Sequence, residues 1–182
     1  MRDADAVAAT DDPRLVVVDP AAIAGGTDPL GIGEGTAPPG TYVLVYSVAA
    51  PLTAEVGALG SVTFDAGACA YVGSAFGSNG LGRVDRHRRV AAGEHDVQHW
   101  HVDYVGSHPN VSLDAVVVAP HAAVECRLAT ELRASVDASA ATASLDGFGA
   151  SDCTCVSHIV AASDAGTLRS TVREAVARLV RE

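Results

Sequence analysis

The stretch Pro38-Pro39-Gly40-Thr41-Tyr42-Val43-Leu44-Val45-Tyr46-Ser47-Val48 opens with a double proline that ends any preceding regular element. It continues as a short β-branched and aromatic run, the composition of a strand rather than a helix. A second strand is predicted at Ser61-Val62-Thr63-Phe64, followed by the turn Asp65-Ala66-Gly67 and a third strand over Ala68-Cys69-Ala70-Tyr71-Val72-Gly73-Ser74. That spacing predicts a hairpin between the second and third strands. Phe76 to Gly80 reads as a loop, and Leu81 to Ala92 as a helix closed by Gly93, on which Arg83 and His87, four apart, share a face. In His99-Trp100-His101-Val102-Asp103-Tyr104 polar and apolar residues alternate, so an extended reading puts His99, His101 and Asp103 on one side. A buried strand over Leu113 to Ala119 comes next. A helix from about Ala122 to Val136 carries Val124, Leu128 and Leu132 at i, i+4, i+8. The tail from Thr167 to Arg181 repeats the amphipathic pattern, and no repeat of 20 to 50 residues interrupts this mixed α/β order.

Upstream, residues 1–39 are rich in Asp, Ala, Gly and Pro, with one β-branched patch at Leu15 to Val18. They read as an acidic N-terminal extension with one edge strand, ahead of a compact domain over residues 40–182. At 182 residues with 48% hydrophobic and 19% charged residues, the chain can bury a core and is not a disordered polyelectrolyte. No apolar run approaches the roughly 20 residues that span a bilayer, and the N-terminus lacks a signal-peptide pattern. A soluble, cytoplasmic protein with no membrane partner is expected, and its four cysteines, Cys69, Cys126, Cys153 and Cys155, are expected to be reduced thiols.

All 12 basic residues are arginine, against 22 Asp and Glu, for a formal charge of -10. An acidic, lysine-free surface stays hydrated in concentrated salt, so the composition suits a halophilic cytoplasm or a GC-rich genome. The net charge alone argues against nucleic acid as a partner. Its distribution argues the other way. Arg83, Arg86, Arg88 and Arg89 lie within seven residues, while seven acids sit in the first 36. A local basic cluster in so acidic a chain suits phosphate, with a solvated helix face as the alternative reading of Arg86, Arg88 and Arg89.

The residues that could carry chemistry occur in a fixed order. They are Gly40-Thr41-Tyr42-Val43-Leu44, Tyr71-Val72-Gly73-Ser74-Ala75, Leu81 with Arg83 and Arg86-His87, the His99 to Tyr104 segment, Glu125-Cys126, and Gly147-Phe148-Gly149 with Ser151-Asp152-Cys153, Cys155 and Ser157-His158. This ordered set resembles the GIY-YIG nuclease superfamily, and within it the small Uri-type endonuclease family, over roughly residues 40 to 160. Any one tripeptide would be weak; the order makes the set specific. The resemblance implies a small three-stranded antiparallel sheet flanked by helices, and metal-dependent hydrolysis of phosphodiesters, in DNA ahead of RNA, in a repair or mobile-element setting. It further implies that Tyr42 helps deprotonate a water, Tyr71 orients water or phosphate, Arg83 grips the scissile phosphate, and Glu125 holds Mg²⁺ or Mn²⁺. A planar guanidinium suits the phosphate role because its fork reaches two oxygens at once. The first motif has Thr41 and the second Val72 where the superfamily pattern has Ile, and the loop from Phe76 to Gly80 lengthens the path to Arg83. Arg86 is therefore a competitor for the phosphate.

His87 either relays a proton or packs as a core histidine. His99, His101 and Asp103 could form an accessory metal or phosphate site, or only a hydrogen-bonded face. Cys153-x-Cys155-x-x-His158, with Asp152 or Cys126 available, supplies zinc ligand types at a spacing unlike the common zinc ribbons, and structural thiols are the alternative. Two rival functions follow. One is a non-catalytic nucleic-acid-binding module using the Arg83 to Arg89 helix, and the other is a metal-binding structural protein built on Cys126, Cys153, Cys155 and His158.

Overall fold

The computed structural model describes residues 12–65, 67–136 and 145–182. Its centre is a five-stranded antiparallel sheet in the order β1 (Val16–Val18), β6 (Val111–Pro120), β2 (Gly40–Val48), β5 (Gly67–Ala75), β7 (Ile159–Ala162). The middle three strands form the three-stranded unit expected from the sequence, widened by one short strand on each side. β1 lies within the acidic extension and pairs Val16 with Val118 along β6. The helix α1 (Pro20–Ala24) follows it, its first turn closed by Asp19, whose carboxylate accepts from Ala21 N–H.

Both faces of the sheet are covered, which explains why its strands are continuous apolar runs. On one face Val43, Val45, Ala70, Val72 and Val117 pack against Leu128 and Leu132 of α4 (Glu125–Ser135) and Leu168, Val172 and Val176 of α5 (Ala165–Leu179). On the other, Tyr42, Leu44, Tyr46, Cys69 and Tyr71 pack against α2 (Gly82–Ala91), α3 (His101–Gly106) and a two-stranded sheet of β3 (Leu52–Val56) and β4 (Gly60–Phe64). Among the described residues no helix is long and apolar enough to cross a membrane.

Two expectations are corrected. β4 and β5 do not form a hairpin: β4 turns back on β3, with Leu52 opposite Phe64, while β5 runs beside β2. The buried positions of β3 alternate with exposed ones, so this small sheet caps the core with one face only. The expected turn includes residue 66, which lies outside the described residues. The second correction is the His99 to Tyr104 segment, which is helical from His101 and not extended. Asp103 sits in its first turn and accepts from the N–H groups of His99 and Trp100, both at 2.9 Å, satisfying donors that a helix start leaves open. Helical geometry buries Val102, Asp103, Val105 and Gly106 together, so His99, His101 and Asp103 do not share a face.

Candidate active site and thiol-histidine cluster

Tyr42 and Tyr71 come from neighbouring strands, but their rings are not direct cross-strand partners. Tyr42 is opposite Gly73, and Tyr71 is opposite Leu44. The glycine is required there, because a Cβ at residue 73 would overlap the Tyr42 ring, 2.7 Å from Cε2. The second motif therefore ends in glycine to make room for the tyrosine of the first. Gly73→Ala is expected to cost about 1–3 kcal/mol through overpacking. It should also displace the Tyr42 hydroxyl; an unchanged denaturant midpoint, read by tyrosine fluorescence, would contradict this.

Behind Tyr42 stands a buried hydrogen-bonded chain of side chains. The Tyr42 hydroxyl is 3.0 Å from His87 Nε2, and His87 Nδ1 is 3.0 Å from Asp103 Oδ1. Asp103 is 1% exposed, and its Oδ2 also accepts from Arg86 Nη1 at 2.8 Å. Burial alone would raise the Asp103 pKa, but bonds from His87, the Trp100 and His99 amides and Arg86 hold it far below the usual carboxylate range. An ionised carboxylate only accepts, so His87 Nδ1 carries the proton and Nε2 is left as the acceptor for the Tyr42 O–H. Burial pushes the His87 pKa down despite the opposing pull of Asp103, so the imidazole is neutral near pH 7. Tyr42 itself is raised well above the ordinary phenol, by burial first and the nearby Tyr71 second. Tyr71 is raised too, by burial and by Glu125. Neither phenol ionises unaided.

In front of the tyrosines lies a cleft of about 520 Å³, lined by Tyr42, Tyr71, Ser74, Arg83, His99, Trp100, His101, Glu125, Asp152, Cys153 and His158 among others. Arg83 reaches it from the first turn of α2. Its Nη1 donates to the Ser74 carbonyl at 2.7 Å, and its guanidinium carbon lies 4.7 Å from the centroid of the Trp100 ring. Among the described residues no carboxylate lies within ion-pair distance of it, so its charge faces the cleft. The other arginines of α2 are placed differently. Arg86 binds Asp103 and the Val97 carbonyl, and Arg88 binds Asp85 and Glu94. Arg89 is exposed. None of the three lines the cleft, and of the arginines of α2 only Arg83 does.

Glu125 begins α4, and Thr41 puts it there. The Thr41 hydroxyl donates to the Ala122 carbonyl at 2.7 Å and accepts from Val124 N–H at 3.1 Å. It ties the strand that carries Tyr42 to the helix that carries Glu125. The helix starts at Glu125 and not at Ala122, because His121 at φ 61 and these bonds hold the preceding turn open. The threonine that departs from the superfamily pattern thus has a hydrogen-bonding task that an isoleucine could not perform.

His101 and His99 lie on the rim. His101 Nδ1 accepts from Gly149 N–H at 2.9 Å, and His99 meets Trp100 edge-on at 4.9 Å between centroids. Gly149, at φ +68, lets the loop pass against Tyr71, where a Cβ would lie 2.9 Å from the ring. The same loop brings Cys153, Cys155 and His158 to Cys126 on α4, and the ligand atoms of these four residues lie within 4.8 Å of one another. These four residues could hold a metal ion. Asp152, the alternative fourth member, lines the cleft instead. His158 Nε2 is 3.3 Å from Cys153 Sγ, and its Nδ1 is 3.2 Å from Glu125 Oε1, an ion-pair distance but off the line of a hydrogen bond. Burial and the neighbouring Cys126 and Cys153 push the Cys155 thiol up to about 12. For Cys153, burial is outweighed by the Cys155 amide and the adjacent thiols, which bring it below the ordinary value.

Sequence reasoning missed the Asp103 anchor and the Trp100 platform. An acid three residues past Trp100, at a helix start, was the available signal for the first. Residues 41–181 match the model of a family described as Domain of unknown function DUF123. No curated protein and no solved structure matches the chain.

Proposed function

The chain belongs to the DUF123 family, and from the geometry of its cleft we propose a metal-dependent endonuclease of GIY-YIG type, hydrolysing phosphodiester bonds in nucleic acid, DNA ahead of RNA. One observation carries the reading: Tyr42, Tyr71, Arg83 and Glu125, drawn from β2, β5, α2 and α4, converge on one cleft with a proton relay behind the first. A phosphodiester needs a deprotonated water, cationic stabilisation of the pentavalent oxyanion, and a route for the departing oxygen. The attacking water gives its proton to the Tyr42 oxygen as the Tyr42 O–H passes to His87 Nε2, and the imidazolium so formed is held by the Asp103 carboxylate. The new P–O bond forms as the bond to the sugar oxygen breaks, the departing oxygen takes a proton from solvent in the open cleft, and His87 returns its proton through Tyr42 to solvent to reset the relay. Arg83, fixed by Ser74 and Trp100, neutralises the non-bridging oxygens. Tyr71 orients the phosphate. Mg²⁺ or Mn²⁺ on Glu125 would supply Lewis-acid stabilisation of the same charge. Zinc is the cation that the thiol-rich cluster suits, because soft donors select it over magnesium.

The non-catalytic module is less well supported, because Arg86 and Arg88 are occupied by Asp103, Asp85 and Glu94 and do not form a free basic face. The test is cleavage of labelled single-stranded, duplex and flapped DNA in high KCl with Mg²⁺, with Mn²⁺ and with EDTA. Cutting that requires the metal is expected. Salt-sensitive binding with no shortening of any substrate under either metal would overturn the proposal.

A further inference from the structure

Four soft or borderline donors from two separate parts of the chain meet beside the cleft. Cys126 is on the first turn of α4, and Cys153, Cys155 and His158 are on the irregular segment that leads into β7. The separations put all four within reach of one small ion, with a slight contraction. A tetrahedral zinc site has S···S edges of about 3.8 Å and S···N edges of about 3.5 Å, from metal–ligand bonds near 2.3 and 2.0 Å. Here all four ligand atoms lie within 4.8 Å of one another, and the Cys153 Sγ to His158 Nε2 distance is 3.3 Å. The segment needs such a tie. Between residues 145 and 158 it contains no regular element and places only a few side chains, chiefly Leu145 and Phe148, in the core. Its backbone is held by a handful of bonds, among them Gly147 N–H to the Val156 carbonyl at 2.7 Å, His158 N–H to the Phe148 carbonyl at 2.8 Å, Gly149 N–H to His101 Nδ1 at 2.9 Å and Val72 N–H to the His158 carbonyl at 2.8 Å.

The histidine connects this cluster to the cleft. With Nε2 turned to the thiols, His158 Nδ1 lies at ion-pair distance from Glu125 Oε1, 3.2 Å, and among the described residues no acceptor makes a hydrogen bond to that buried nitrogen. A metal-bound imidazole whose second nitrogen meets a carboxylate is the arrangement by which outer residues orient and strengthen histidine ligands. We propose that Cys126, Cys153, Cys155 and His158 form a closed structural zinc site, and that His158, bridging this zinc to Glu125, makes zinc loading and the position of the cleft carboxylate mutually dependent. The site stands on its donors and distances. Only its consequence for cleavage rests on the nuclease reading above.

The test is made without nucleic acid. The reduced full-length protein, depleted of metal and reloaded, should bind one zinc per chain, and Co²⁺ in its place should give the intense thiolate charge-transfer and d–d bands of tetrahedral cobalt. Cys126→Ser, at an exposed position, and Cys153→Ser should each weaken binding and alter the cobalt spectrum, with far-UV circular dichroism reporting whether the fold survives. Glu125→Gln should keep the tetrahedral spectrum but weaken zinc, in competition with a chromophoric chelator, by about 10–100-fold. A native protein that takes up no zinc, or gives an octahedral cobalt spectrum, overturns the site. A Glu125→Gln variant with native zinc affinity overturns the bridge, as does one that loses tetrahedral cobalt altogether, which would make Glu125 a ligand. Failure to cut DNA by a zinc-loaded native protein bears on the proposed function alone.

Discussion

Asp103→Ala is expected to destabilise the protein by about 3–5 kcal/mol, the range for breaking a buried charge network by removing one partner. The carboxylate is 1% exposed and serves four donors: His87 Nδ1, Arg86 Nη1 and the amides of His99 and Trp100. Alanine leaves each of them short of an acceptor in a space that shape alone cannot refill. The start of α3 and the placement of α2 against it are both affected, and Trp100, which supports Arg83, lies at that junction. The pH dependence has a definite sign. The Asp103 pKa is lower in the fold than in the unfolded chain, so its contribution is complete above the unfolded value of about 3.9 and is lost as pH falls below it. Native and variant midpoints in urea should therefore stay well apart from neutral pH down to about 4 and converge only below that. A loss under about 1 kcal/mol would show that water replaces the carboxylate and that the anchor is not buried in solution.

The same residue shows where sequence reading succeeds and fails. β2, β5 and β6 were legible because strands buried on both faces carry continuous apolar runs, and the helices α4 and α5 because Leu128, Leu132, Leu168 and Val172 recur at helical spacing. His99 to Tyr104 misled because six residues are too few to separate a two-residue period from a helical one. The deciding fact, a carboxylate accepting from the two amides before the helix, is a tertiary and capping property. β3 is masked by weak strand formers, Ala54 and Glu55, and its pairing with β4 depends on the intervening turn at Gly57 and Gly60, both at positive φ. In the cleft the tyrosines, Arg83 and Glu125 were named from an ordered set of motifs. What the residues could not disclose was that Arg86 is neutralised by Asp103 from another helix and Arg88 by its neighbours Asp85 and Glu94, while Arg83 meets no carboxylate among the described residues. Cys126 shows the same limit: it is distant in sequence from Cys153, and only the packing of α4 against the loop selects it over Asp152.

Tyr42→Phe is expected to lower kcat for DNA cleavage by about 10²–10⁴, the usual worth of a positioned proton-transfer group, with KM and the metal requirement little changed. The substitution removes one oxygen and keeps the ring, which is 1% exposed and fits against Gly73, so packing is retained. Its structural cost is confined to His87 Nε2, which loses its partner, about 1–3 kcal/mol at most. A merely structural tyrosine would give that small stability loss with native turnover, and such a result would remove Tyr42 from the mechanism. The relay carries its own pH signature. Because burial lowers the His87 pKa, the native protein should hold the imidazole neutral, with the proton on Nδ1, as pH falls through the free-imidazole value of about 6.5. Long-range ¹⁵N NMR of the imidazole reads this directly. A buried neutral histidine also makes the fold lose stability as pH drops below about 6.5, since the unfolded chain gains a proton that the folded chain refuses. An imidazolium already present at pH 7 would reverse the direction of the Tyr42 hydrogen bond, leave no acceptor for its proton, and exclude the relay as drawn.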